Sequence, residues 1–127
     1  MIRASLIPMF DNLAIIDYNA VPYDFHNEYD IERISCIDEQ LVIRFVSIEN
    51  NQHVSMVFHA AELCLIELNQ VDDDNAAMVL DTLYRGRKDL RDGLVETSTN
   101  GKGYFYLELY GGSRVEFWAS GVSIVAS

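Results

Sequence analysis

Along two stretches of this chain, residues 31–67 and 103–125, apolar and polar side chains alternate nearly one for one. A period of two fits only an extended backbone with one face turned inward. The segments "IERISCI", "QLVIRFVSI" and "HVSMVFHAAELCLIEL" follow one another with turn-forming residues between them. Their pairing can be tested by asking which register brings the apolar residues together. With Asp38-Glu39 as a two-residue turn, Cys36 meets Leu41 and Ile34 meets Ile43. With Asn50-Asn51 as the next turn, Phe45 meets Met56, Ile43 meets Phe58 and Leu41 meets Ala60. A slip of one residue would set each apolar side chain against the wrong face. A three-stranded antiparallel meander follows.

The second stretch, "GYFYLELYGGSRVEFWASGVSIV", reads as a hairpin and a last strand. Taking Gly111, Gly112 and Ser113 as its loop pairs Leu109 with Val115 and Leu107 with Phe117. The opposite face then carries Tyr106 facing Trp118, Tyr110 facing Arg114, and Glu108 directly opposite Glu116. Like charges across a pair repel, by roughly 0.2–1 kcal/mol if repulsion mirrors attraction. Solvent and Arg114 would moderate that. This face is the candidate binding surface, composed of Tyr106, Glu108, Tyr110, Arg114, Glu116 and Trp118. Exposed aromatic rings among carboxylates suit a Lys- or Arg-rich partner through cation–π contacts and charge pairs.

Between the two stretches the pattern changes. In "VDDDNAAMVLDTLYRGRKDLRDG", Ala76, Val79, Leu80 and Leu83 fall at helical spacing. Asp72, Asp73 and Asp74 precede them where a helix start favours negative charge, and Arg85, Arg87 and Lys88 follow at the other end. The favoured reading is a short helix over residues 75–88, with a strand through "MVLDTLY" as the alternative. Near the start, "NLAIIDY" has strand character, Pro8 disfavours a long helix before it, and residues 19–30 read as a loop. The expected fold is α+β and predominantly antiparallel β. It has about seven strands, in a curled sheet or two layers, with one short helix, all within a single domain, 1–127.

The charge distribution narrows the partners. Residues 1–74 hold fourteen Asp/Glu against three Arg, whereas residues 75–127 hold six of each sign, which places the whole net charge of −11 in the first part. Such acidity opposes nucleic-acid binding, which rests on Lys and Arg, and it steers basic partners. No apolar run is long enough to span a bilayer, and the first residues do not read as a secretory signal, so a cytoplasmic location is expected. Cys36 and Cys64, in apolar segments, read as buried free thiols.

Catalytic and metal-binding patterns are weak. His53 and His59 lie six residues apart on one strand, about 20 Å, too far to share a metal. His26 with Asp24, Glu28 and Asp30 matches no defined ion-binding spacing, and the aspartates of "DDDN" (72–75) read as a helix start. Cys64 and His59 would have opposite parity on a regular strand, and nothing marks a third member, so a nucleophile and base are not the expected reading. Glu108 and Glu116 are too thin a basis for acid–base catalysis. No cofactor, metal or catalytic residue is expected.

The order of "YDFHNEYDIERI", "LVIRFVSI", "VSMVFHAAELCLIEL" and "YFYLELYGGSRVEFWASGVSI", over roughly residues 22–126, resembles that of small bacterial β-rich proteins. Some of these are grouped with immunity proteins of polymorphic toxin systems. The resemblance implies a non-catalytic cytoplasmic protein that binds and blocks a toxin domain, and the acidic first part of the chain would suit a basic one. It carries no catalytic residues over. The expected function is therefore an acidic protein-binding domain, contacting its partner through residues 24–39 or through the hairpin face. The alternatives are a small-molecule-binding domain with its ligand between sheet and helix, and a homo-oligomer, a dimer for instance, whose assembly is its role.

Overall fold

The computed structural model describes residues 1–68, 78–86 and 101–126. Eleven strands run through them. They are β1 (Ile2–Arg3), β2 (Ile15–Tyr18), β3 (Val21–Asp24), β4 (Tyr29–Ile37), β5 (Gln40–Ser47) and β6 (His53–His59). Then come β7 (Glu62–Glu67), β8 (Leu80–Arg85), β9 (Gly103–Leu109), β10 (Arg114–Ala119) and β11 (Gly121–Ala126). All strand pairings are antiparallel. One sheet has the order β1-β11-β6-β5-β4, a second β7-β10-β9-β8, and β2-β3 form a small third ribbon.

Among the described residues there is no α-helix, only a 3-10 turn at Ala4–Leu6. The expected helix is corrected where it can be seen, because residues 80–85 form β8; residues 75–77, 87 and 88 lie outside the described residues. The spacing that imitated a helix has a physical source. β8 pairs Leu80 with Leu109 and Thr82 with Glu108, leaving Asp81 as an extra bulged residue. One inserted residue reverses strand parity, so Leu80 and Leu83, three apart, both point into the core.

The meander β4-β5-β6 is present. Its first turn is as expected: Asp38 and Glu39 both have positive φ, 52° and 61°, and Cys36 pairs with Leu41 and Ile34 with Ile43. The second turn is not. Phe45 pairs with Val54, Ile43 with Met56 and Leu41 with Phe58, two residues away from the expected register. Ser47 is the cause. Its backbone N–H donates to the Gln52 carbonyl and its carbonyl accepts from Asn51, closing a four-residue loop over 48–51. Its Oγ also accepts from the N–H groups of Glu49 and Asn50. A two-residue slip keeps every side chain on its face, so matching apolar residues cannot detect it.

"HVSMVFHAAELCLIEL", expected as one strand, is two. The chain leaves the first sheet at Ala60, which has φ 51°, and enters the second as β7. β10 and β11 make the same crossing at Ser120. Because β6 pairs with β11 and β7 with β10, the two bent strands stay paired around the corner. There Ser120 donates its N–H and its Oγ–H to the His59 carbonyl at 2.8 and 3.1 Å. Gly121 is required beside it, since a Cβ would lie 2.5 Å from the Ile2 carbonyl oxygen of β1.

The two larger sheets enclose one core. Phe58 of the first sheet meets Phe105 and Phe117 of the second, with centroids 5.0 and 4.8 Å apart, both edge-on. All three rings are fully buried, each worth about 1.5–3 kcal/mol in burial. The β2-β3 ribbon leads into Phe25, which stacks on Phe45 at 4.3 Å.

Candidate functional site

The six residues expected on the hairpin face do not share one wet surface. Alternation sorts them correctly. Tyr106, Glu108, Arg114, Glu116 and Trp118 have the opposite parity to the core residues Phe105, Leu107, Val115 and Phe117. The cross-strand partners differ. Arg114 faces Glu108, Glu116 faces Tyr106 and Trp118 faces Tyr104, so the expected Glu108–Glu116 opposition does not occur. The loop is Tyr110-Gly111-Gly112, closed by Leu109 N–H donating to the Ser113 carbonyl at 2.8 Å. Gly111 and Gly112 have φ of 95° and 91°, which L side chains rarely adopt. This loop places its glycines where the turn needs them, whereas the expected loop would have put Ser113 there.

Burial is the larger departure. Tyr106 is 1% exposed and Glu116 9%, and Tyr104 is buried as well. Tyr84 of β8 stacks on Tyr106 at 5.2 Å, and Phe10 lies edge-on to Tyr84. The Tyr104 ring lies edge-on to Trp118 at 5.0 Å. A buried carboxylate needs donors. The Tyr104 hydroxyl donates to Glu116 Oε1 at 2.9 Å, and Arg114 Nη1 lies 3.8 Å from Oε2. Arg114 Nε donates to Glu67 of β7 at 2.7 Å, and this bond raises the guanidinium pKa above its ordinary value. Rings and charges here are mostly spent on one another. Trp118 is half-buried.

Tyr110 stands apart, on the loop and 56% exposed. Its hydroxyl lies 3.3 Å from His26 Nε2, while His26 Nδ1 lies 2.6 Å from the Leu80 carbonyl. A carbonyl only accepts, so Nδ1 bears a hydrogen and donates it to Leu80. His26 thus ties the turn after β3 to β8 and to the hairpin loop. That turn is closed by Asp24, whose carboxylate accepts from the Asn27 side chain and from the N–H groups of Asn27 and His26. The Asn27 side-chain bond leads in holding the Asp24 carboxyl below its ordinary pKa.

The acidic stretch 24–39 lies along β4, an edge strand of its sheet, and along the turns at either end. It carries Asp24, Glu28, Asp30, Glu32, Asp38 and Glu39 against a single base, Arg33. Glu28, Glu32, Asp38 and Glu39 are exposed. Glu32 is the bulged residue between Ile31 and Arg33, and its Oε2 lies 2.7 Å from His53 Nε2 and 3.5 Å from Arg44 Nε. Nearby, burial pushes the Tyr29 phenol above its ordinary pKa. His59, at the far end of β6, pairs with Ser123 Oγ at 2.8 Å. Among the described residues, no three His, Cys, Asp or Glu side chains gather into a metal-holding group, and no helix is long and apolar enough to cross a membrane. Asp72, Asp73, Asp74 and Asn75 lie outside the described residues.

The two larger sheets also leave a gap between them. A cavity of about 320 Å³ opens between the two sheets, lined by residues that include Ile34, Leu41, Ile66, Leu109 and Val115. Cys36 lines it too, and both cysteines are thiols outside any disulfide and exposed, against the expectation of burial. Cys36 does point to the inner face beside Leu41, but at the end of the β4-β5 hairpin, where the cavity opens. Cys64 is the bulged residue of β7, skipped between Leu63↔Phe117 and Leu65↔Glu116. That bulge brings Leu63 and Ile66, three residues apart, onto one side, and both line the cavity. The apolar i,i+3 spacing inside a strand is the only signal of this in the sequence.

These features define an antiparallel β protein with an acidic strand edge and an apolar cleft between its sheets. Comparison with protein-family models, with curated proteins and with solved structures found no match to this chain.

Proposed function

We propose that the chain is a non-catalytic acidic domain that binds a basic protein, in the manner of an immunity protein that blocks a toxin. The supporting observation is the β4 edge with its two flanking turns, where six carboxylates and one arginine lie along 24–39. Such an edge attracts Lys and Arg at long range and lines them up against exposed carboxylates. The hairpin face contributes through Tyr110, Trp118 and Glu108 at its margin. Tyr106 and Glu116 lie on the same face but are buried.

The test is capture of the partner by tagged protein, followed by affinity measurement at low and high salt. A basic partner is expected, bound less tightly as salt rises. The combined changes Glu28→Lys, Asp38→Asn and Glu39→Lys should weaken it roughly 100-fold, about 2.7 kcal/mol. Loss of binding in Glu108→Lys and Trp118→Ala instead would move the contact to the hairpin face. Binding unaffected by both sets would defeat the proposal. Mass measurement in solution separates it from a homo-oligomer.

A further inference from the structure

We infer that the cleft between the two sheets is a binding site for an uncharged apolar small molecule. Three observations carry this. The first is size: about 320 Å³ falls in the range of ligand pockets. The second is chemistry. Ile34, Leu41, Ile66, Leu109 and Val115 offer water no hydrogen bonds, so filling the cleft with an apolar body is favourable. Ile66 is 55% exposed, a standing cost that a ligand would remove. The third is charge. Among the described lining residues the one charged side chain is Arg114, and it is already held by Glu67 at 2.7 Å and faced by Glu116 at 3.8 Å. An anionic ligand would have to displace those carboxylates and approach a chain of net charge −11. A cation would meet an apolar wall. A neutral ligand meets neither obstacle.

The Cys36 thiol in the wall provides a reporter that does not depend on function. The probe is N-phenyl-1-naphthylamine, neutral, apolar and fluorescent when removed from water. It should bind the full chain with an apparent Kd on the order of tens of micromolar, from the affinity typical per heavy atom. In Cys64→Ser protein, a probe concentration tenfold above Kd should slow alkylation of Cys36 by N-ethylmaleimide about tenfold. In Cys36→Ser protein, Cys64 should react at the same rate with or without probe. Cys36→Trp, which fills the cleft, and Ile66→Lys, which puts a charge in its wall, should each weaken the probe at least tenfold. Ile66 is exposed enough for that change to leave the fold intact if Cys36→Trp does not fold. No fluorescence gain, unprotected Cys36, or undiminished binding in the wall variants would each overturn the inference.

Discussion

The buried pair of Tyr104 and Glu116 decides whether the outer face of the second sheet is a sealed layer or a wet one. Tyr104→Phe removes the hydroxyl that donates to Glu116 Oε1 at 2.9 Å, with both side chains buried. A hydrogen bond to a charged acceptor contributes about 1.5–3 kcal/mol, because the carboxylate left behind has lost solvent as well as its donor. With a urea slope of about 1.5 kcal/mol/M, a loss of 2 kcal/mol lowers the midpoint by about 1.3 M. Glu116→Gln keeps an acceptor but gives up the charge, which roughly halves such a bond. The two changes together should therefore show a coupling of about 1 kcal/mol in a double-mutant cycle. Trp118 is the single tryptophan and sits 5.0 Å from the Tyr104 ring, so its fluorescence follows unfolding at this location, with circular dichroism as a second probe. An exposed pair would give a shift of no more than a few tenths of a molar. A Tyr104→Phe midpoint within about 0.3 M of the parent would refute the sealed-face argument.

Three further outcomes are expected. Gly121→Ala forces β1 away from β11, since its Cβ would sit 2.5 Å from the Ile2 carbonyl; calorimetry should show a loss of about 2 kcal/mol or more. Asp24→Ala opens the turn that places His26 and costs about 1 kcal/mol at pH 7. Because the folded carboxyl pKa is lowered, the wild-type advantage is present above the unfolded value near 3.9 and is lost as pH falls through the folded one. Urea midpoints of both proteins should therefore converge at low pH. Ser47→Ala removes the Oγ that accepts from Glu49 and Asn50, and should cost about 1 kcal/mol in urea unfolding while leaving the β5-β6 register unchanged.

What the sequence makes legible here is parity. Alternation placed Phe105, Leu107, Val115 and Phe117 inward and Glu108, Glu116 and Trp118 outward, as the structure has them. Parity says nothing about slips of two residues. Both the Ser47 turn and the Tyr110-Gly111-Gly112 loop lie two residues from the apolar-matching solution, because local hydrogen bonds and positive φ chose the loop. Nor does parity survive a bulge. Asp81 made a strand look like a helix, and Cys64 hid the side of β7 that lines the cleft. Whether an outward face is wet depends on what lies over it, as Tyr106 shows, and alternation in one strand holds no information about that.

The corner where Ser120 meets His59 has a consequence for how the molecule comes apart. The two residues are 61 positions apart in the chain, so joining them costs on the order of 4 kcal/mol in loop closure before anything is gained. Each bent strand belongs to both layers at once, and neither layer can peel away while the other keeps its pairing. Folding that must close such distant contacts is expected to be slow, and unfolding is expected as a single all-or-none transition, checked by coincident fluorescence and circular-dichroism curves.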